Sequence, residues 1–212
     1  MASIITATTT SGLTHSADNS GVLQLASGSG NLITVPSTTG TMLTTASSIT
    51  RSQLPTGSVL QVVSTPKTDT FTTTSTTDVA ITGLSATITP TSSTSKILVL
   101  VNIGSSGTTS GDWAVFLSLY RSASLITGSV GDTASSRKVC TSASRNSSTG
   151  RFQSSSIMYY DSPASTSSLT YACYVSMESG GGSACINRSG SDADAASFPR
   201  SISTITLMEI AA

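Results

Sequence analysis

Five consecutive aliphatic residues, Ile97–Val101, stand in a chain in which serine and threonine supply 81 of 212 residues. A run so short, β-branched and apolar on both faces specifies a buried strand rather than a helix. The strand spans Lys96–Gly104, and its best partner lies at the far end of the chain, Ile202–Ala211, again apolar on both faces. Two such strands about a hundred residues apart close a β-sandwich, and the C-terminus closes it.

Charge narrows the possible partners. Ten Lys+Arg balance ten Asp+Glu, and only 9% of residues are charged, which argues against nucleic acid because phosphate binding needs a basic surface. Solubility rests on hydroxyls, and threonine is also a good strand former. No segment reaches the about 18–20 apolar residues of a membrane-spanning helix, so no membrane insertion is expected. The opening MASIITATTT has neither the basic nor the apolar region of a secretory signal. Three cysteines, Cys140, Cys173 and Cys185, make an odd number without metal-ligand spacing and are expected to be free thiols.

Residues 1–50 form a low-complexity tract with short strands at Gly21–Leu25, Asn31–Val35 and Gly40–Thr44, spaced about ten residues apart. Residues 51–56 read as a hinge around Leu54-Pro55. From Gly57 to the C-terminus about nine strands follow, with no helical periodicity. The expected fold is therefore all-β, an antiparallel sandwich or jelly roll over 57–212 with an extended, β-rich N-terminal arm. Trp113–Arg121 mixes aromatics on both faces. In Leu169–Glu178, Tyr171, Cys173, Val175 and Met177 share one face. The glycine turn at 180–182 reads as a hairpin leading to Ala184–Arg188.

Catalytic patterns are absent from the sequence. A serine triad needs a base within reach, and the one histidine, His15, sits in the low-complexity tract. Asp192 and Asp194 are the only close acids; two carboxylates are too few oxygens for calcium. No lysine or helix start follows Gly180–Gly182, which excludes a phosphate cradle. No metal or cofactor is expected. Asn146-Ser-Ser148 and Asn187-Arg-Ser189 match the glycosylation acceptor pattern, a match that arises easily at this serine frequency. Tyr159, Tyr160, Tyr171 and Tyr174 offer either sugar-stacking planes or half-buried core.

The order of PTGSVLQVVST, GLSATITPTSSTSKILVLVNI, a Trp/Phe strand ending LYR, YYDSPAST, GGGSACINRSGSDAD and STITLMEI resembles virion structural proteins of tailed bacteriophages, of the tail-fibre or receptor-binding type. The head, SGLTHSADNSGVLQLASGSG, is similar to the attachment region of such fibres. The resemblance implies a homotrimeric, tumour-necrosis-factor-like jelly-roll tip, assembled into the virion in the host cytoplasm. It also implies a non-enzymatic role: docking on tail or capsid proteins through residues 1–50, and contact with a host surface glycan or protein. A capsid decoration protein and a carbohydrate-binding surface module are the alternatives.

Two expectations about surfaces complete the reading. Because both closing strands are apolar on both faces, Val99, Val101, Ile205 and Leu207 are assigned to subunit packing. Loops 105–112, 129–150 and 189–200 are assigned to recognition, with Arg137, Lys138, Arg145, Asp192, Asp194 and Phe198 as contact residues.

Overall fold

The structure is a computed structural model that describes residues 23–27, 31–35, 54–179 and 181–212. It divides into two units, Met1–Thr50 and Arg51–Ala212. In the first, β1 (Leu23–Ser27) and β2 (Asn31–Val35) pair antiparallel, with Leu25 opposite Ile33. The expected strand at 40–44, His15, hinge residues 51–53 and Gly180 lie outside the described residues.

The second unit is all-β, two antiparallel sheets of which one curls into a half-barrel, in keeping with a β-sandwich or jelly roll. Its strands are β3 (Val59–Lys67), β4 (Phe71–Thr73), β5 (Val79–Ile88), β6 (Lys96–Thr108), β7 (Trp113–Arg121), β8 (Ser124–Leu125), β9 (Ser142–Asn146), β10 (Gln153–Asp161), β11 (Leu169–Met177), β12 (Ala184–Ile186) and β13 (Ser203–Ile210). One sheet runs β3-β13-β6-β12-β4, with β10 on the other side of β6. The second runs β5-β11-β7-β8, and β9 also pairs with β7.

The aliphatic run organises the first sheet as expected. β13 lies along one side of β6, Leu207 opposite Val99, and β10 along the other, Ile157 opposite Val101. Alternation then divides the two faces. Ile97, Val99, Val101, Ile103, Ile205 and Leu207 point into the inter-sheet core with essentially no exposure. They meet Val115, Leu117 and Leu119 of β7 and Tyr171, Cys173, Val175 and Met177 of β11. Val99, Val101, Ile205 and Leu207 are thus not at a subunit surface. One chain already buries them between its own sheets, because a second sheet supplies the cover that a neighbouring subunit was expected to provide.

β5 shows how local sequence sets local shape. Val79 and Ile81 alternate normally, but the next buried residue is Leu84, three positions on. Between Tyr174↔Ala80 and Ala172↔Ser85 the register slips, and Gly83 takes φ +82. A side chain disfavours that region and glycine does not, so the bulge turns both Ile81 and Leu84 inward.

Three expected connections differ. β6 continues through Ser105, Ser106 and Thr108, all buried, so the expected loop from Ser105 shortens to a turn before Trp113. Residues 142–146, expected within a loop, form edge strand β9 on β7. The glycine turn does not make a hairpin: β11 belongs to the second sheet, while β12 pairs with β6 and β4 of the first. The chain crosses the sandwich there, a step for which strand periodicity carries no signal.

Cys140, Cys173 and Cys185 are all free. Burial pushes the Cys173 thiol up to about 12, so it is an inert core group.

Candidate functional site

The six residues assigned to recognition fall into separate clusters. Lys138 Nζ lies 2.6 Å from Asp78 Oδ1, which also accepts from Ser176 Oγ at 2.7 Å, while Asp78 Oδ2 accepts from Tyr120 OH. Tyr120 stacks on Tyr174 at 3.7 Å between ring centroids. Lys138 therefore pins its own loop to the outer face of the second sheet. Arg145, on β9, bridges Asp112 at 3.0 Å and Glu178 at 2.6 Å. Asp192 sits between Arg188 and Arg200, at 3.5 and 2.7 Å. Phe198 is half-buried, with a ring carbon beside Gly150. Arg137 and Asp194 are exposed and have no ion-pair partner among the described residues. Intramolecular partners thus occupy three of the five charged candidates, and no single patch unites the six.

Both glycosylation matches fall on buried asparagines, each with 0% exposure. Asn187 Nδ2 donates to the carbonyls of Lys67 and Asp69, and its Oδ1 accepts from Ser203 Oγ at 2.6 Å. In this fold neither amide is open to a glycan. Asn187 is instead the hub that ties the end of β3 to the start of β13.

A concavity lies elsewhere among the described residues. This cleft, of about 280 Å³, opens between the end of β10 and the β7–β8 corner, lined by Arg121, Leu125–Gly128 and Tyr159–Ser162. Arg121 closes β7 and Asp161 closes β10, so their ion pair joins the two sheets across the sandwich. Asp161 Oδ2 accepts from Arg121 Nη1 and from Tyr171 OH at 2.7 Å, and Oδ1 accepts from the Ser162 amide at 2.9 Å. Burial works against the Arg121 charge, but the Asp161 hydrogen bond and charge outweigh it and raise the guanidinium further. Burial first, and Asp161 second, push the Tyr171 hydroxyl far up, so it remains a neutral donor. Tyr159 and Tyr160 line the cleft, whereas Tyr171 is core and Tyr174 stacks on Tyr120. Arg121, Asp161 and Gly128 were not candidates from sequence. The available signal was a single charge ending each of two otherwise uncharged strands.

The lone carboxylate of this cleft is held in an ion pair, and no group of three or more His, Cys, Asp or Glu side chains that could hold a metal occurs among the described residues. The arrangement offers fixed hydrogen-bond donors, not a nucleophile with its base. No protein-family model matches the chain, and no curated protein matches it.

A pH dependence follows from two other carboxylates. Glu209 is 0% exposed and accepts from Thr91 N, Thr91 Oγ1 and Gln61 Nε2 at 2.6–2.7 Å. For both Glu209 and Asp78, burial acts to raise the pKa. The hydrogen bonds, and for Asp78 the Lys138 charge, overcome it and leave the net value below the ordinary 4.5 and 3.8. A depressed folded pKa stabilises above the unfolded value and loses that contribution as pH falls through the folded one. The melting temperature is therefore expected to hold from neutrality down to about pH 5 and to fall progressively below it. A melting temperature that rises on acidification to pH 3 would contradict this assignment.

Proposed function

We propose that this chain is a non-enzymatic structural protein of a bacteriophage virion, a homotrimeric tail fibre. Its N-terminal tract docks on the tail and its β-sandwich meets the host surface. The observation that carries the reading is the outer face of the first sheet. Across β3, β13, β6 and β10 one row runs Val62, Met208, Leu98, Tyr160, and the next runs Ser64, Thr206, Leu100, Met158. Met158 is 74% exposed, Val62 54% and Tyr160 52%. A contiguous apolar patch of this kind marks an interaction surface. Lys96 is the one charged side chain on the four strands at this face, since Glu209 and Asp161 are buried and Lys67 points inward. A second copy of the same chain therefore meets little like-charge repulsion there. The ordered resemblance of the sequence blocks to fibre-type proteins supplies the phage context and the threefold state.

Light scattering is expected to give about 64 kDa, three times the 21.4 kDa chain. Met158→Asp puts a charge on an already exposed position, so it is expected to leave the circular dichroism spectrum intact while dissociating the oligomer. A wild-type monomer at micromolar concentration sinks the oligomer. Electron micrographs of virions carrying gold-labelled protein test the location: label at the tail tip supports the fibre, and label over the capsid facets overturns it in favour of decoration.

A further inference from the structure

We infer that the cleft between β10 and the β7–β8 corner is a binding site for a neutral saccharide, one sugar ring at a time. This deepens the attachment reading by naming the chemical class of its ligand, and only its biological purpose rests on that reading.

The first support is the state of Arg121. Its Nη1 is committed to Asp161 with the Tyr171 hydroxyl beside it, while the rest of the guanidinium, on a side chain 32% exposed, lines the cleft. The ion pair holds a planar set of donors in one orientation at the wall of a concavity. Fixed donors lose less entropy on binding than mobile ones do.

The choice between an anionic and a neutral ligand follows from Asp161. The Arg121–Asp161 pair has no net charge, and Asp161 is 4% exposed. A ligand carboxylate or phosphate reaching the guanidinium in the cleft would bring a second anion beside the Asp161 carboxylate, which costs energy in a partly desolvated site. A sugar hydroxyl accepts the same N–H groups without that repulsion.

Tyr159 supplies the complementary group. Its hydroxyl has no hydrogen-bond partner among the described residues, and a hydroxyl can both donate and accept. It stands where a side chain on Gly128 would go: a Cβ built there would be 2.5 Å from Tyr159 Oη. Gly128 is not among the residues with positive φ, so space at the cleft wall, not backbone conformation, is what a larger residue would take. Ile126 is buried and Leu125 half-buried at the base of the cleft, whose accessible wall is mostly polar and suits hydroxyl groups. The volume of about 280 Å³ sits just below the range of ligand pockets, about 300–1,000 Å³, and suits no more than one ring.

The test titrates the full-length protein with glucose, galactose, mannose, N-acetylglucosamine and N-acetylgalactosamine, and separately with glucuronic, galacturonic and N-acetylneuraminic acids. Saturation-transfer NMR and calorimetry read binding. At least one neutral sugar is expected to bind with a Kd on the order of 1 mM, and the acids less tightly. Arg121→Lys keeps the charge but removes the planar donors, and Gly128→Val fills the wall. Each is expected to weaken binding about tenfold or more, with melting temperature measured to show that the fold persists. Silence with all five neutral sugars overturns the site. So does preference for the acids, and so does undiminished binding in a folded Gly128→Val protein. Sugar binding by a protein that is absent from virions retains the site and removes the attachment reading. Tail-tip label without sugar binding does the reverse.

Discussion

Val99→Asp is expected to yield no folded protein. Val99 has 0% exposure and lies between Leu207 on β13 and Tyr159 on β10, facing the second sheet. Its cross-strand neighbours, Leu207 and Tyr159, cannot neutralise a carboxylate there. An unpaired buried charge costs several kcal/mol at least, against a total stability of about 5–15 kcal/mol. Val99→Ala removes volume without adding charge, and is expected to cost about 1–3 kcal/mol and still fold. Soluble expression and circular dichroism of the pair decide the matter. A cooperative, native-like melt for Val99→Asp would mean that β6 does not turn this face inward. The contrast with Met158→Asp matters most: β6 and β10 are neighbours, yet one substitution enters the core and the other stays in water.

Asp161→Ala is expected to be the most damaging single change outside the apolar core. It removes the acceptor of the Arg121 guanidinium, the Tyr171 hydroxyl and the Ser162 amide together. Tyr171 is 0% exposed, so its hydroxyl is left without water as a substitute. Breaking a buried pair from one side costs about 3–5 kcal/mol; Arg121 is about a third exposed, which places the expected loss near the lower figure. For a domain of this size that is roughly 6–12 °C in melting temperature, readable by calorimetry. The double variant Asp161→Ala with Arg121→Met removes both charges and is expected to recover part of the loss, because no stranded charge remains. A drop of about 1 °C for Asp161→Ala would show that this ion pair does not hold the two sheets together.

Local pattern and final partnership separate cleanly in this chain. The strands β6 and β13, their pairing, and the shared face of Tyr171, Cys173, Val175 and Met177 follow from side-chain alternation and from the length of the apolar runs. Even the break at Gly83 is visible as a step of three between Ile81 and Leu84, because a bulge must leave its mark in the spacing. All-β architecture is therefore written in the order of residues: burying one face of a strand needs period two, and that is a property of neighbours in sequence.

What covers each face is not such a property. Val99 and Leu98 look alike in sequence, and only the arrival of the second sheet buries one and leaves the other half-exposed. The passage of the chain from β11 in one sheet to β12 in the other, across the glycine turn, leaves the alternation within each strand unchanged. The same holds for charge. Lys138, Arg145 and Asp192 read as free loop charges until Asp78, Glu178 and Arg200 are brought against them. Arg121 and Asp161, 40 residues apart, end two different strands and meet only because the sheets stack. The sequence alone determined the all-β class and the principal strands, since those depend on short-range periodicity. The tertiary structure decided the inner and outer faces, the ion pairs and the cleft, since each needs groups far apart in the chain to be brought within a few ångströms.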